Sequence, residues 1–192
     1  MPSDHRFALL ADTHVGDRAK RLDPALYHAL LQAQPEAILH AGDVCKGTAI
    51  TQLSQIAPVH AVMGNRDWLR GHYLPMAIHA EVNGVRITLT HGHLSLFHYA
   101  GNYLRLFFTG AKTSFSEFQK KLAWKYPDAD VIIYGHTHYQ IDMVMDGKRF
   151  INPGAALPQE LNDYTLQYML LTVTATGEVI TERRALKPTA DG

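Results

Sequence analysis

The sequence predicts an α/β fold of two packed, mixed β-sheets with helices on the outside. In the N-terminal third, short apolar runs alternate with helical segments, as in β-α-β units. In the C-terminal part, an Asn-Gly pair and an Asp-Gly pair, each between two apolar segments, predict β-hairpins. The chain has 192 residues, of which 46% are hydrophobic, which is enough for a single domain with a sizeable core.

Three strands are predicted in the N-terminal third, at residues 7–11, 37–41 and 59–63. Each is a short apolar run typical of a buried parallel strand, and each leads into a polar block. Crossover connections bring the carboxyl ends of parallel strands to one edge of a sheet. We therefore expect the loops that follow these strands to lie close together.

Two helices are predicted to connect these strands. The first begins after Asp23, a suitable N-cap, with Pro24 at the first helical position, and ends near Ala33, before Pro35. The second is predicted to cover residues 48–56. The N-terminal third is thus expected to form a β-α-β-α-β unit.

The C-terminal part changes to antiparallel patterns. Its predicted strands cover residues 77–82, 85–90, 131–134, 139–145, 148–151, 166–174 and 178–185. Asn83-Gly84 and Asp146-Gly147 are the hairpin turns. We expect these strands to form the second sheet, and the residues from about 186, which lack a core pattern, to form a flexible tail.

Residues 94–126 are rich in aromatic side chains and predict a helical insertion that breaks near Gly110. Ser114 and Glu117 match a capping box. Four apolar side chains then fall on one helical face: Phe115, Phe118, Leu122 and Tyr126. We expect this face to pack on the sheet. Residues 94–108 are apolar on nearly every side, which favours a homodimer interface or a wall of the active-site cleft equally.

Seven side chains of metal-binding type lie in short blocks at predicted strand ends: Asp12, His14, Asp43, Asn65, His91, His136 and His138. Hard oxygen ligands mixed with imidazoles suit a pair of divalent first-row ions better than one closed structural site. At an extended strand end, residues two apart point the same way. We therefore expect Asp12 and His14 to face the ions together, and His136 and His138 likewise.

The order of these blocks resembles that of the calcineurin-like metallophosphoesterases. The blocks are Ala-Asp12-Thr-His14, Gly42-Asp43, Gly64-Asn65-Arg66-Asp67, His91-Gly-His93 and Gly135-His136-Thr-His138, and the likeness extends to Asn152-Pro153-Gly154. It is greatest to the small, single-domain bacterial and archaeal phosphodiesterase branch. The resemblance implies a four-layer α/β/β/α sandwich over residues 1–192.

The resemblance also implies how two ions share the ligands. One ion takes Asp12, His14, Asp43 and His138, and the other takes Asp43, Asn65, His91 and His136, so that Asp43 bridges them. A hydroxide between the ions would attack phosphorus in line with the leaving oxygen. We expect two divalent ions, manganese first, with iron, nickel or zinc as alternatives.

Arg66 and His93 are the remaining candidate catalytic residues. The larger phosphatases of the superfamily carry His at the position of Arg66. A guanidinium does not donate its proton usefully, but it can grip a phosphate oxygen; the alternative is a surface Arg66 paired with Asp67. His93 is a candidate to protonate the leaving group or to hydrogen-bond a ligand. His40 and His60 are expected to be buried and hydrogen-bonded.

The composition limits which classes of binding partner are expected. Eighteen Lys and Arg balance eighteen Asp and Glu, so the net charge does not support a nucleic-acid surface, although nucleic acid stays open as a substrate. The single Cys45 cannot form an internal disulfide, and the N-terminus lacks a signal-peptide pattern. No apolar run reaches the roughly 20 residues that span a bilayer. We expect a cytoplasmic protein without a membrane partner.

These features predict a dinuclear-metal phosphoesterase that acts on small phosphate esters, most of all phosphodiesters. One alternative is a phosphomonoester phosphatase. Another is a metal-binding scaffold of the same fold without turnover, which the intact set of seven ligands argues against.

Overall fold

The computed structural model describes residues 3–92 and 115–189. Its strands are β1 (His5–Leu10), β2 (Ala37–His40), β3 (Val59–Ala61), β4 (Ala77–Val82), β5 (Val85–Thr90), β6 (Val131–Ile133), β7 (Gln140–Met145), β8 (Lys148–Pro153), β9 (Leu166–Val173) and β10 (Val179–Leu186). The described helices are α1 (Pro24–Ala33), α2 (Gly47–Leu53), α3 (Asn65–Leu69) and α4 (Phe115–Lys125), with a 3₁₀ turn at Glu160–Asn162.

The first sheet has the strand order β10-β9-β1-β2-β3. Strands β1, β2 and β3 are parallel, whereas β9 runs antiparallel to both β1 and β10. The prediction that the last two strands belong to the second sheet is therefore wrong. The apolar pattern of β9 shows that it is buried on both faces, but it does not specify which neighbouring strand accepts its hydrogen bonds.

The second sheet has the order β4-β5-β6-β8-β7 and contains both predicted hairpins. Asn83 and Gly84 both have positive φ, as do Asp146 and Gly147. Two consecutive left-handed residues match the twist of the flanking strands in a two-residue hairpin, which is why Asn-Gly and Asp-Gly favour these turns.

Three apolar layers hold the sheets and helices together. The central layer fills the space between the two sheets and includes Leu9, Leu89 and Met169. A second layer lies between the first sheet and helices α1 and α2, and a third lies between the second sheet and α4. This arrangement confirms the predicted α/β/β/α sandwich of two mixed sheets.

Helix α1 begins where the sequence predicts. The Asp23 carboxylate accepts the backbone N–H of Ala25 at 2.8 Å, and Leu26 and Leu30 are fully buried against the sheet. Helix α2 ends at Leu53, earlier than predicted, and the five-residue helix α3 was not predicted.

Helix α4 packs on the second sheet through Leu122, with Phe118 and Tyr126 beside it. The predicted break near Gly110 and residues 94–108 lie outside the described residues. At the other end of the chain, Leu186 still packs against the core, and the backbone N–H of Thr189 donates to Asp23 at 3.1 Å. The chain therefore keeps contacts beyond residue 186, where a tail was predicted. None of the described helices is long and apolar enough to cross a membrane.

A polar cluster joins the two sheets away from the candidate site. Arg149 donates two hydrogen bonds to the Asp142 carboxylate, both at 2.8 Å, and Thr181 of β10 donates to the same carboxylate. Arg149 also donates to the backbone carbonyl of Val179. Because Asp142 and Arg149 belong to the second sheet and Thr181 to the first, these bonds fix how the sheets meet.

We expect Asp142→Asn to lower the free energy of unfolding at neutral pH by about 1 kcal/mol, because solvent screens this partly exposed pair. The hydrogen bonds from Arg149 hold the pKa of Asp142 below its ordinary value. Since the folded pKa is lower than the unfolded one, the carboxylate stabilises the fold above the ordinary pKa, and this contribution is lost as pH falls through the folded pKa. Urea titrations at pH 7 and pH 3 should show the difference between wild type and variant shrinking at acid pH. An equal difference at both values would contradict this assignment.

Candidate metal centre

The candidate ligands come from loops at one edge of the two sheets. Asp12 follows β1, Asp43 follows β2, and Asn65 opens helix α3 just beyond β3. His91 follows β5, and His136 follows β6. In each sheet the strands that lead to these loops run parallel to each other, so their carboxyl ends share an edge. The structure thus brings all seven predicted ligands to neighbouring loops.

Five of the seven candidate ligands have left-handed backbone conformations: Asp12, His14, Asp43, His136 and His138, with φ between 48° and 69°. Strand β1 ends at Leu10 and β6 at Ile133, so these residues lie beyond the extended backbone. The expectation that extended strand ends make the paired ligands point the same way is wrong. Non-glycine residues in this region cost on the order of 1–3 kcal/mol each, and such strain typically collects at functional sites.

One group of ligand atoms centres on Asp12. The Asp12 Oδ1 atom lies 3.3 Å from His138 Nε2 and 4.0 Å from His14 Nε2. The other carboxylate oxygen of Asp12 accepts the backbone N–H of His136 at 3.1 Å. One oxygen therefore orients the next ligand loop while the other faces two imidazoles.

A second group centres on Asn65. Its Oδ1 atom lies 3.2 Å from His91 Nε2 and 3.2 Å from His136 Nδ1. Asp43 lies between the two groups, because its Oδ2 atom is 3.6 Å from His91 Nε2 and 3.8 Å from His14 Nε2. Its other oxygen accepts the backbone N–H of Arg66 at 2.8 Å. Asp43 Oδ2 is thus placed to face an imidazole of each group.

Unsatisfied atoms at the centre of this arrangement fit bound cations. Asp12 Oδ1 and His14 Nε2 are buried and have no hydrogen-bond partner among the described residues. His91 Nδ1 lies 2.7 Å from the carbonyl oxygen of Ala41, which fixes the proton there in the neutral ring. The lone pair of His91 Nε2 then points at the oxygens of Asn65 and Asp43. Electron-pair donors that converge without a shared proton are matched by metal ions.

Charge and burial set the pKa values of the group. Burial alone would raise the pKa of Asp12, but the contact with the His138 imidazole and the charges of His91 and His14 outweigh it and lower the pKa to about 2. Burial lowers the pKa of His14 to about 4. Burial, together with the negative charge of Asp12, raises the pKa of Asp43. Asp12 and His14 therefore have the ionised and neutral forms that metal binding requires at neutral pH.

Neighbouring polar groups orient the imidazoles. Asp17 Oδ2 lies 3.5 Å from His14 Nδ1, and Gln159 Nε2 lies 2.7 Å from His138 Nδ1. In both rings this contact is on the nitrogen that faces away from the candidate ions. Both contacts restrain the orientation of a ring, and a carboxylate such as Asp17 beside the outer nitrogen of a ligand imidazole also favours metal binding. The sequence analysis found neither Asp17 nor Gln159, because neither belongs to a recognisable block.

Asp67 is the main functional residue that the sequence analysis missed. Its side chain is fully buried and accepts the backbone N–H groups of Asp43 at 2.9 Å, Gly64 at 2.8 Å and Cys45 at 2.6 Å. Arg66 is not paired with it, so that alternative is wrong. The available signal was the position of Asp67 directly after Asn65-Arg66, within a block that already carried a ligand.

Close packing of the backbone against Asp43 explains why residue 64 is a glycine. A Cβ atom at Gly64 would lie 2.0 Å from Asp43 Oδ1 and 2.3 Å from Asp43 N. Any side chain there would displace Asp43 or the backbone beside it. The carboxylate of Asp67 and the absence of a side chain at Gly64 therefore together allow the second and third ligand loops to touch.

Arg66 and the histidines outside the ligand set differ in burial and in their contacts. The Arg66 side chain is partly exposed, and its Nε atom lies 3.9 Å from Asp17 Oδ2. His93 lies outside the described residues. His40 is fully buried with its Nε2 atom 3.2 Å from the Thr13 hydroxyl, as expected, whereas His60 is exposed, so the expectation for His60 is wrong.

Asn152 lies at the end of β8 and holds the loop that carries His136 and His138. It is fully buried, and its Nδ2 atom donates to the Gly135 carbonyl at 2.8 Å and to the Thr137 hydroxyl at 3.0 Å. Its Oδ1 atom accepts the backbone N–H of Gly154 at 2.9 Å. Asn152 therefore positions a ligand loop without facing the candidate ions itself.

Comparisons with known proteins agree on one family. A model described as the calcineurin-like phosphoesterase superfamily domain matches residues 6–176. A probable metallophosphoesterase of Methanothermobacter thermautotrophicus is 30% identical over 155 residues, which are 81% of this chain and 79% of that protein.

Two solved structures share the fold. Vacuolar protein sorting 29 from Cryptosporidium parvum has a TM-score of 0.70 and 19% identity, covering 96% of this chain and 99% of that one. A structure described as a novel archaeal phosphodiesterase has a TM-score of 0.59 and 21% identity, covering 93% of this chain and 99% of that one. At these identities the likeness concerns the fold alone.

Proposed function

The chain belongs to the calcineurin-like phosphoesterase superfamily, and we propose that it is a dinuclear-metal phosphodiesterase. The observation that carries this proposal is the position of Asp43, whose Oδ2 atom faces His14 on one side and His91 on the other. Two ions about 3.5–4 Å apart need a shared ligand, and a carboxylate is suited to that role.

We assign the seven ligands to two ions that share Asp43. One set is Asp12, His14, Asp43 and His138, and the other is Asp43, Asn65, His91 and His136. When bound, the ions supply positive charge to the phosphate oxygens and make a water acidic enough to attack near neutral pH. Mixed oxygen and nitrogen ligands accept manganese, iron, nickel or zinc, and availability in the cell often decides; we propose manganese first.

Neighbouring groups of this chain hold the candidate ligands in place. The Ala41 carbonyl holds the ring of His91, and Asp17 holds that of His14, so that both Nε2 atoms face inward. The buried Asp67 keeps the loop of Asp43 against the loop of Asn65. Because these groups are set before substrate binds, little reorganisation is needed when charge develops on the phosphate.

Arg66 supports a preference for diesters. It follows Asn65 directly, and its partly exposed side chain makes only a long contact with an acid among the described residues, 3.9 Å from Nε to Asp17 Oδ2, so the guanidinium is available to a phosphate oxygen. A permanent cation does not protonate a leaving alkoxide usefully, which favours esters with good leaving groups. The role of His93 as a proton donor stays a prediction. The cytoplasmic location of the protein also stays a prediction.

The proposal is tested with bis(p-nitrophenyl) phosphate and p-nitrophenyl phosphate, which share one leaving group. We expect kcat/KM to be at least about tenfold higher for the diester, a difference of about 1.4 kcal/mol in the barrier. Activity should disappear after chelation and return with Mn²⁺. Faster hydrolysis of the monoester would make the protein a phosphomonoester phosphatase instead.

The alternative is a metal-binding scaffold of the same fold without turnover. Turnover at full metal content separates the two candidates. A preparation that contains two ions per chain by elemental analysis, yet hydrolyses neither ester, would support the scaffold and reject the phosphodiesterase.

A further inference from the structure

A tight loop carries Arg18 next to the candidate metal centre. The backbone N–H groups of Asp17 and Arg18 both donate to the carbonyl oxygen of His14 at 3.0 Å, and Gly16 N–H donates to the Ala19 carbonyl at 2.6 Å. The loop is therefore a closed, hydrogen-bonded turn that starts at a candidate ligand. Arg18 is held at a defined position only four residues from His14.

A cavity of about 580 Å³ opens beside this loop. Thr13, which lies between two candidate ligands in the chain, forms part of its wall, and Pro158 forms another part. Pro158 precedes Gln159, whose side chain contacts His138 at 2.7 Å. Consecutive Cα atoms are about 3.8 Å apart, so the cavity shares its wall with the metal centre. Its volume lies in the usual range of small-molecule sites.

The lining of this cavity is cationic. Arg18, Lys20 and Arg21 line it, and Arg18 and Lys20 are exposed. In the described part of the chain, neither of these two forms an ion pair with an acidic side chain. The acid at the cavity wall, Asp23, already accepts hydrogen bonds from Ala25 and Thr189.

The opposite wall of the cavity is apolar and includes Leu22, Leu157 and Leu166. A ligand that matches this lining has an apolar body and a negative charge.

We propose that this cavity is a subsite for a second anionic group of the substrate, bound by Arg18 and Lys20. The substrate class is then an organic phosphodiester that bears a second phosphate on the same apolar body. This inference rests on the proposed function, because the metal centre is taken to hold the scissile phosphate. Two phosphates on one apolar body would use the metal centre and the subsite together, which raises affinity without a change in the chemistry.

The test is calorimetric binding of thymidine 3′,5′-bisphosphate and thymidine 5′-phosphate in the presence of Mn²⁺. We expect wild type to bind the bisphosphate about tenfold more tightly. In the double variant Arg18→Ala/Lys20→Ala this ratio should fall to about one. Both residues are exposed, so circular dichroism should show an unchanged fold; the single variant Arg18→Glu provides the same comparison independently.

Arg86→Ala is the matched control. Arg86 lies near the start of β5, at the opposite end of that strand from His91, and it should retain the wild-type ratio. A wild-type ratio of one, or a ratio unchanged in the double variant, would overturn the subsite. If the bisphosphate binds more tightly but aryl diesters are not hydrolysed, the proposed function fails and the subsite stands. If the diesters are hydrolysed and the ratio is one, only the subsite fails.

Discussion

Asp43→Asn is expected to lower kcat/KM for an aryl diester by about a thousandfold and to weaken both metal sites. An amide keeps the size of the carboxylate but loses the negative charge with which Asp43 Oδ2 would hold two cations. Elemental analysis should find less than two ions per chain, and excess Mn²⁺ should restore little activity.

The stability of the metal-free protein separates this effect from misfolding. Burial is the largest cause of the raised pKa of Asp43, and the nearby negative charges of Asp12 and Asp67 raise this pKa further. Removing one of these like charges should leave the Tm of the metal-free protein unchanged or higher. Mn²⁺ at 100 times its Kd should stabilise the wild-type fold by about 2.7 kcal/mol, which appears as a rise in Tm. This rise should be smaller in Asp43→Asn.

Asp130→Asn is the control for this substitution, because it makes the same chemical change at an exposed residue paired with Arg86. It should bind two ions and turn over normally. The bridging role of Asp43 is wrong if Asp43→Asn also binds two ions tightly and retains wild-type turnover.

The parts of the fold that follow from local patterns were predicted from the sequence. Asp23 and Pro24 specify the start of α1, and the Asn83-Gly84 turn specifies its hairpin, because each acts through its own backbone geometry. The seven candidate ligands were recognisable for a similar reason. They lie in short blocks next to apolar strands, and parallel strands bring such blocks to one edge.

The remaining features depend on contacts between distant segments. The pattern of β9 indicates burial, but its place beside β1 is decided by hydrogen-bond partners that periodicity does not encode. Asp and His adopt left-handed backbone more often than most residues, but a local pattern does not specify that Asp12 and His138 are among those that do. Likewise, Gln159 reaches His138 from 21 positions away, which no local pattern predicts.

Asp67 is the clearest case of a side chain whose role only the folded structure reveals. Its two oxygens accept three backbone N–H groups, from the loop after β2 and from the residue before Asn65. These donors are buried, and each buried N–H that loses its partner costs about 1–3 kcal/mol. The carboxylate therefore stabilises both the fold and the spacing between Asp43 and Asn65.

We expect Asp67→Ala to lower the free energy of unfolding by about 3–5 kcal/mol and Asp67→Asn, which retains one acceptor oxygen, to lower it by less. Because Asp67 acts through the ligands and not on the substrate, Asp67→Asn should also weaken Mn²⁺ binding about 10–100-fold. Competition with a metal-sensitive dye and urea unfolding measure these two effects. Asp142→Ala is the matched control, since it removes a hydrogen-bonding carboxylate at the inter-sheet cluster and should reduce stability while leaving Mn²⁺ affinity unchanged. Equal Mn²⁺ affinity in wild type and Asp67→Asn would mean that Asp67 stabilises the fold without positioning the metal ligands.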